Sequence, residues 1–406
     1  MKKLLKNYAK LLVEKGLNVQ KRQDVIVRAG LDQIEFVEEV VKLCYKRGAR
    51  KVTVEWEHQP LEKTDYRYCS EKTLSDIPEW EQKKFDYLAE TLPAILYIES
   101  DDPNGLAGID QKKMAKVRQN RYPIVRAYMD KTENKYQWCI AGVPGKAWAQ
   151  KVFPGMRSSE AVKKLWESIL YTSRAENDDP IAEWEKHNED LKRRCAYLNS
   201  LKIKRLVYKS DSGTDLSVGL IDGSRFAGGE ELTLSGIPFN PNIPSEEVFT
   251  SPKAGDAEGV VVASRPLSFR GELIENFSMR FEGGRVVEVH AEKNEELLKT
   301  MVSMDKNAAM LGECALVPFD SPIRNSGVTF FNTLYDENAC CHLALGEGFP
   351  ECLVGFENMT LQECRAKGIN DSIIHVDFMI GTEDLSIDAV TETGVVPIFR
   401  KGNWAF

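Results

Sequence analysis

The feature of this sequence that most constrains its fold is a change in the pattern of apolar residues close to residue 200. Before it, short apolar runs alternate with stretches of helical periodicity, and strands separated by helices predict parallel pairing through crossover connections. From Lys202 onward, short β-type runs with turn residues dominate, which is typical of antiparallel strands. The chain has 406 residues, more than the roughly 250–300 at which a single hydrophobic core stops growing. We therefore predict an α/β N-terminal domain at 1–200 with a mainly parallel sheet, and an α+β C-terminal domain at 201–406 with mainly antiparallel strands.

Apolar periodicity also places individual elements within this division. In the first half it predicts helices at 2–15, 32–47 and 110–119, and strands at 24–29, 51–56, 93–99 and 137–143. The helical stretch at 157–200 is interpreted as a bridge between the domains. In the second half it predicts strands at 203–208, 215–220, 259–264, 277–289 and 373–380, and helices at 294–305 and 336–345. The inner side of the helix at 32–47 is expected to carry Ile34, Phe36, Val37, Val40, Val41 and Leu43.

Composition and charge exclude several classes of function. The net charge is −8 with acidic and basic residues interspersed, so no basic stripe is available to neutralise the phosphates of a nucleic acid. Polar residues interrupt the apolar part of the N-terminus, unlike in a signal peptide, and no apolar stretch has the roughly 18 residues that a membrane span needs. Nine scattered cysteines without CxxC spacing indicate reduced thiols. We expect a cytoplasmic protein without nucleic-acid or membrane partners.

Histidine is scarce, with five in the whole chain, and the first notable one lies in the apolar segment SIIHVDFMIG. In a strand, residues two apart point to the same face, so His375 and Asp377 should lie side by side while Val376 points away. A buried carboxylate must be paired or must bind a cation. The sequence leaves both interpretations open, a structural His–Asp hydrogen bond and a metal site.

Three further candidates lie in separate segments. His342 belongs to TLYDENACCHLALG, interpreted as a helix with Asp336 as its N-cap and with Asn338 and His342 on one face. Glu313 lies among small and apolar residues in MLGECALVP. In PSEEVFTSP the two neighbouring glutamates, Glu246 and Glu247, cannot be distinguished by these patterns, and the surface is the usual place for such residues.

Taken together, two glutamates, two histidines and one aspartate form a ligand set suited to Zn²⁺, Mn²⁺ or Co²⁺ in a hydrolytic site. Five protein ligands exceed what one catalytic zinc ion uses, and they suit two ions about 3.5–4 Å apart. Spacing along the chain does not show whether the five converge. A phosphate loop is not indicated, because the segment from Gly142 to Lys146 lacks the spacing and the Ser/Thr of such loops.

The segments PSEEVFTSP, GECALVP, NTLYDENACCHLALG, HVDFMIG and PIFRKGNWAF, in this order, resemble the aminopeptidase T / aminopeptidase S family of metalloaminopeptidases. The resemblance implies removal of N-terminal residues from peptides, two divalent ions (Zn, Co, Mn or Mg), a homodimer, and a catalytic C-terminal domain. It also implies which residues bind metal, namely Glu247 rather than Glu246, Glu313, His342, His375 and Asp377. We favour Glu313 as the carboxylate that transfers the proton.

One departure from the family pattern affects the expected activity. Members typically continue HLALG with x-Ala-Tyr-Pro, whereas this chain has Glu347-Gly348-Phe349-Pro350. Phe349 therefore occupies the position of a tyrosine thought to contribute to the active site, and it lacks the hydroxyl. We expect an intact metal site with reduced or shifted peptidase activity, unless Tyr335 or Arg324 supplies a donor. The alternatives are a dinuclear amidase with a different substrate and a metal-binding protein that has lost turnover.

Overall fold

The computed structural model describes all 406 residues of the chain. The first 200 residues contain nine helices and four strands. The helices are α1 (Lys2–Leu11), α2 (Ile34–Arg47), α3 (Gln59–Tyr68), α4 (Glu71–Ser75), α5 (Glu79–Thr91), α6 (Gln111–Thr132), α7 (Lys146–Val152), α8 (Ser158–Thr172) and α9 (Pro180–Ser200). The strands are β1 (Asp24–Gly30), β2 (Lys51–Glu57), β3 (Ala94–Glu99) and β4 (Trp138–Gly142). The helices and strands predicted in this half are present, although the helix predicted at 110–119 extends to Thr132, and α3, α4, α5 and α7 were not predicted.

The rest of the chain is rich in short strands. They are β5 (Arg205–Lys209), β6 (Asp215–Leu220), β7 (Glu231–Leu232), β8 (Pro238–Phe239), β9 (Asn242–Ile243), β10 (Val248–Thr250), β11 (Pro252–Val262), β12 (Leu267–Phe269), β13 (Glu272–Glu282), β14 (Arg285–Lys293), β15 (Leu311–Leu316), β16 (His342–Gly346), β17 (His375–Met379), β18 (Ser386–Thr391), β19 (Gly394–Arg400) and β20 (Asn403–Trp404). Four helices lie between them, α10 (Glu295–Val302), α11 (Pro322–Asn325), α12 (Thr333–Asp336) and α13 (Leu361–Lys367).

The sheets confirm the predicted fold class. One sheet has five strands in the order β2-β1-β3-β4-β9, and its pairs are parallel. Most strands of the second half form a nine-stranded antiparallel sheet and a four-stranded antiparallel sheet in the order β10-β15-β16-β17, while β7 and β8 form a separate pair. Crossover helices connect the first four strands, as parallel pairing requires.

The chain divides into two compact units. The first contains 1–189, 229–245 and 328–334, and the second contains 190–228, 246–327 and 335–406. The five-stranded sheet belongs to the first unit, and the nine-stranded and four-stranded sheets belong to the second. A compact unit need not fold on its own, so the domain boundary between residues 200 and 201 stays a prediction. None of the helices is both long enough and apolar enough to cross a membrane.

Two local predictions were wrong. The segment 336–345 was expected to be a helix, but the helix ends at Asp336, a 3₁₀ turn covers Glu337–Ala339, and His342–Gly346 is strand β16. Leucine and alanine favour helices, yet hydrogen bonding to β15 on one side and β17 on the other overrides that preference. On α2, Ile34 was expected inside but is 50% exposed, because it is the first residue of the helix.

Strand β16 ends at Gly346, where the chain turns sharply. Gly346 has φ +103°, and a Cβ atom there would lie 2.0 Å from the carbonyl oxygen of Ile374. Ile374 in turn accepts a hydrogen bond from the N–H of Glu347 at 2.6 Å. Both the left-handed backbone and the close approach therefore require glycine.

We predict that Gly346→Ala destabilises the protein by more than about 3 kcal/mol, in the range of mutations that force a steric rearrangement. The matched control is Gly394→Ala, which has φ +136° and no atom near its Cβ position, so that only backbone strain of about 1–2 kcal/mol is added. Urea unfolding in the presence of a chelator measures both. Equal losses of stability in the two variants would show that the contact with Ile374 adds nothing to the cost of backbone strain.

Candidate metal centre

Six side chains that can donate to a metal ion meet beside the four-stranded sheet. They are Glu247 directly before β10, Glu313 in β15, Glu337 in the 3₁₀ turn before β16, His342 at the start of β16, and His375 and Asp377 in β17. Four neighbouring strands therefore each bring at least one donor to the same place. Five of the six are less than 9% exposed, and His375 is the most open.

The strand register explains why these donors share a face. Glu313 lies opposite Ala344 on β16, and Ala344 lies opposite Asp377 on β17. Directly opposed residues in antiparallel strands point to the same side of the sheet, and so do residues two apart along a strand, such as Ala344 and His342. His375 lies opposite Gly346. Strand β16, which lies between β15 and β17, thus has small residues at the positions opposite the donors. These small residues leave room for the larger donor side chains to converge.

The opposite face of these strands is apolar. Leu343 and Leu345 of β16 and Val376 and Phe378 of β17 alternate with the donors and are buried. Full burial of such side chains stabilises a fold by about 1.5–3 kcal/mol each. The same alternation that directs the donors to one side therefore fixes the strands that carry them on the other.

The donor atoms form overlapping groups whose members lie within 4.8 Å of one another. One group, called here the His342 group, is Glu247, Glu313 and His342, and a second, the His375 group, is Glu313, His375 and Asp377. A third combination joins Glu337 to His342 and Asp377. Glu313 belongs to both named groups, and the third combination links these groups through His342 and Asp377.

The nitrogen atoms that face the carboxylates are in contact with them but are not well hydrogen-bonded. Nε2 of His342 lies 3.2 Å from Oε2 of Glu247, yet it lies outside hydrogen-bond geometry and has no hydrogen-bond partner. Oδ1 of Asp377 lies 3.1 Å from Nε2 of His375 and is likewise without a hydrogen-bond partner. Buried polar atoms without partners are rare and call for an explanation such as a bound ion. Lone pairs of nitrogen and oxygen directed at shared space are what a divalent cation requires.

The local electrostatics are dominated by negative charge. Burial and the charge of Glu247 raise the pKa of Glu313 to about 7, although the hydrogen bond from His375 works in the opposite direction. Burial would lower the pKa of His342, but its contact with Glu247 and the charges of Glu313 and Asp377 raise it to about 9. Without an ion, therefore, the cluster retains protons near neutral pH that ion binding must displace.

Burial and neighbouring charges also shift the pKa values of Glu337, His375 and Asp377. Burial, together with the charges of Asp377 and Glu247, raises the pKa of Glu337 well above its usual range. Burial opposes ionisation of both members of the pair His375 and Asp377, but their mutual attraction prevails. It raises the pKa of His375 well above its usual range and lowers the pKa of Asp377 to about 2.

Phe349 lies beside the most open part of the cluster. Its ring is 4.8 Å from the imidazole of His375, centroid to centroid, and 5.5 Å from the ring of Phe249. The side chain of His375 is 26% exposed, whereas those of Glu313 and Asp377 are 5% and 10% exposed. The position at which the family pattern has a tyrosine is therefore next to the donor that solvent, and hence a ligand, can reach.

The structure brings together all five residues that the sequence singled out as metal ligands. It also places the two adjacent glutamates differently, because Glu246 is in none of the donor groups and its N–H donates to Oδ1 of Asn338 at 2.7 Å. Sequence reasoning missed Glu337. The helix predicted at 336–345 put Asn338, rather than Glu337, on the same face as His342. The only sequence signal for Glu337 was its position as an acidic residue directly before a buried segment.

Comparison with known proteins identifies a family of metal-dependent peptidases. A family model described as thermophilic metalloprotease (M29) matches residues 1–404. Aminopeptidase AmpS from Bacillus subtilis (strain 168) is 41% identical over 404 residues, which is 99% of this chain and 98% of that protein.

Two solved structures are similar over almost the whole chain. Wild-type AmpT from Thermus thermophilus superposes with a TM-score of 0.89 at 38% identity, with all of both chains covered. A 2,5-dihydroxypyridine dioxygenase from Pseudomonas putida KT2440 superposes with a TM-score of 0.54 at 13% identity, covering 99% of this chain and 96% of the other. The second similarity concerns the fold alone, since one fold hosts unrelated chemistries.

The raised pKa values predict how ion binding depends on pH. Glu313 and His342, with pKa values of about 7 and about 9, must each lose a proton before they can donate to an ion. Affinity for Mn²⁺ or Zn²⁺ should therefore rise from pH 6 to pH 9, by at least about one log unit per pH unit below pH 7. Competition against a chromophoric chelator, corrected for its own protonation, measures this.

The control for this prediction is His290→Gln. His290 is exposed on β14 and pairs with Glu295 outside the cluster, so its replacement should leave the slope unchanged. A wild-type affinity that is flat between pH 6 and pH 9 would contradict the proton displacement described above.

Proposed function

Because the chain belongs to the thermophilic metalloprotease family M29 and is a metal-dependent aminopeptidase, we propose that it releases N-terminal residues from peptides through two divalent ions. The proposed ligands are Glu247, Glu313, Glu337, His342, His375 and Asp377. The observation that carries the proposal is the buried cluster itself, in which Nε2 of His342 and Oδ1 of Asp377 have no hydrogen-bond partner. Zn, Co, Mn and Mg all remain candidates, and the homodimer expected from the sequence stays a prediction.

The charge of the cluster supports two ions rather than one. Four carboxylates carry four negative charges when ionised, and the two imidazoles are neutral when they act as ligands. Two divalent cations balance these charges, whereas one would leave two buried negative charges without compensation, which is costly. The sharing of Glu313 by the His342 and His375 groups is what a carboxylate between two ions would require.

When bound, such ions supply an acidified water as the nucleophile and a Lewis acid for the scissile carbonyl. The residues of the chain have the remaining tasks. Glu313, which belongs to both donor groups, is the carboxylate that we assign to accept a proton from the attacking water and to deliver it to the nitrogen of the leaving amine, through an oxygen that is not bound to an ion. The apolar face of the sheet holds Glu313 and its neighbours in position, so that little reorganisation is needed during the reaction.

We expect the protein to hydrolyse aminoacyl-p-nitroanilides with a free α-amine once Mn²⁺, Co²⁺ or Zn²⁺ is added back after chelation. His342→Ala should bind less metal and lose more than about 100-fold in kcat/KM, since even partners in the outer shell of a metal site contribute 10–100-fold. His290→Ala is the matched control, because His290 is an exposed histidine of the same unit. A His342→Ala variant with full activity and bound metal would contradict the proposed site.

The same assay separates the alternatives. Hydrolysis of N-acetylated substrates or other amides, with none of free aminoacyl compounds, would favour an amidase of different substrate. Stoichiometric metal binding without turnover of any substrate would favour a protein that retains the ions and has lost catalysis.

Phe349 gives a second prediction. Its ring is already in place beside His375, so Phe349→Tyr adds a hydroxyl donor next to the most open donor of the cluster. If the wild-type protein lacks a hydrogen-bond donor for the oxyanion because Phe349 has no hydroxyl, the kcat of the Phe349→Tyr variant should be higher by up to about 10²–10³-fold, with little change in KM. The control is Phe356→Tyr, which adds the same hydroxyl to a partly buried ring under Arg225.

A Phe349→Tyr variant with unchanged kcat would show that another group already supplies the donor. Tyr335→Phe tests the buried tyrosine, and Arg324→Lys tests the guanidinium that stacks on Phe319 at 3.5 Å. A large loss of kcat in one of these variants would identify that group.

A further inference from the structure

The two imidazoles of the cluster are oriented by different neighbours. Nδ1 of His375 lies 2.8 Å from the carbonyl oxygen of Glu347. A carbonyl oxygen can only accept a hydrogen bond, so Nδ1 must carry the proton. When the imidazole is neutral, as a metal ligand must be, the lone pair is then on Nε2, which faces Glu313 at 3.2 Å and Asp377 at 3.1 Å. The position of one peptide carbonyl therefore decides which nitrogen of His375 can bind an ion.

That carbonyl belongs to a residue outside the sheet. Strand β16 ends at Gly346, and Glu347 is the first residue of the following loop. Gly346, the last residue of the strand, and Gly348 in the loop have no side chains that could hold the loop in place. Its geometry must come from neighbouring segments.

Asn370 supplies hydrogen bonds on both sides of Glu347. Its Nδ2 donates to the carbonyl oxygen of Gly346 at 2.6 Å, and its own carbonyl oxygen accepts from the N–H of Gly348 at 3.0 Å. Nδ2 also donates to the carbonyl oxygen of Asn307 at 3.1 Å. With 1% exposure, Asn370 makes these bonds away from competing water, so it fixes the peptide groups that precede and follow Glu347.

A second contact joins the same loop to the segment after Asn370. The carboxylate of Glu347 accepts a hydrogen bond from the N–H of Ser372 at 2.6 Å. The hydroxyl of Ser372 donates to Asp305 at 2.8 Å. Asn370 is thus part of a hydrogen-bonded support for the main chain on both sides of Glu347, to which the bond from the N–H of Glu347 to the carbonyl oxygen of Ile374 also contributes.

The other imidazole is independent of this support. Nδ1 of His342 faces the carbonyl oxygen of Cys340 at 3.5 Å. The carboxylate of Glu337 accepts a hydrogen bond from Nδ2 of Asn338 at 3.3 Å, and Oδ1 of Asn338 accepts from the main-chain N–H of Glu246, the residue before Glu247, at 2.7 Å. None of these hydrogen bonds involves Asn370.

We propose that Asn370 is a positioning residue for the His375 group, that it acts by fixing the carbonyl of Glu347, and that it does not act on the His342 group. This inference rests on the proposed two-ion function. It assigns different hydrogen-bonded neighbours to the two halves of one site, so a change at Asn370 should weaken the binding of one ion and leave the binding of the other unchanged. Loss of a partner of this kind costs about 10–100-fold in metal affinity.

The test is a titration of chelator-treated protein with Zn²⁺ or Mn²⁺, which resolves the two binding steps. Asn370→Ser removes the Nδ2 donor and retains the backbone carbonyl that bonds Gly348. We expect one of the two dissociation constants to increase about 10–100-fold and the other to change by less than about threefold. Activity that is lost at stoichiometric metal should return when metal is added in excess. Unfolded protein would not regain kcat in this way, so the recovery distinguishes weakened metal binding from misfolding.

Two further samples keep the result interpretable. Asn240→Ser is the matched control, because Asn240 is also 1% exposed and pairs with Asn188 in the other unit, so both dissociation constants should stay unchanged. If Asn370→Ser does not fold, nitrogen-15 NMR of histidine-labelled, zinc-loaded wild-type protein tests the premise directly. It should show His375 protonated at Nδ1 and metal-bound at Nε2.

The outcomes that would overturn the inference are distinct from failure of the proposed function. Unchanged affinity for both ions in Asn370→Ser, equal weakening of both, or a His375 bound to metal through Nδ1 would each refute the role of Asn370 and leave the two-ion site intact. Wild-type protein that binds no divalent ion, or only one, would refute the proposed function and with it this inference.

Discussion

The constraint on which the second unit depends is the repulsion among four carboxylates buried within a few ångströms of one another. Glu247, Glu313, Glu337 and Asp377 are all under 9% exposed, and unpaired charges cannot be buried without large cost. Two imidazoles offset part of this charge only while they are protonated, and a protonated imidazole cannot bind an ion. The cluster therefore has two self-consistent states, one that retains protons and one that holds cations. The raised pKa values of Glu313 and His342 describe the first state.

A site of this kind needs a scaffold that cannot relax to separate the charges. Antiparallel strands supply it, because each donor on one face alternates with a buried apolar residue on the other. Moving Asp377 away from Glu313 would require moving Val376 and Phe378 out of the core. Ala344, which lies between Glu313 and Asp377 in the register, sets how close they come. The packing energy of the apolar face thus holds together a charge cluster that would otherwise separate.

The sequence predicted the fold class and five members of the cluster, but for different reasons. The parallel and antiparallel halves follow from local periodicity, and the pair His375 and Asp377 follows from strand alternation. Convergence of Glu247, Glu313 and His342 depends on long-range pairing, which no local pattern contains, and it was expected only from resemblance to a family. Glu337 and the strand β16 were missed for one reason, since leucine and alanine next to His342 favour a helix locally and only the two neighbouring strands make the segment extended. The role of Asn370 has no sequence signal, because it depends on hydrogen bonds to a loop whose course the strand determines.

In the first unit, the place where an open parallel sheet usually binds ligands is occupied by groups of the chain itself. Open parallel sheets commonly bind ligands beyond the carboxyl ends of their strands, where the strand order reverses. In the order β2-β1-β3-β4-β9, the strand order reverses at the carboxyl ends of β1 and β3. Side chains and main-chain groups of the protein itself lie there. Asp32 accepts a hydrogen bond from the hydroxyl of Ser100 at 3.0 Å, and a Cβ atom on Gly145 would lie 2.1 Å from the carbonyl oxygen of Ser100. The glycine that superficially suggests a phosphate loop is required instead by close packing against β3, so an anionic ligand there would meet the carboxylate of Asp32 rather than free backbone donors.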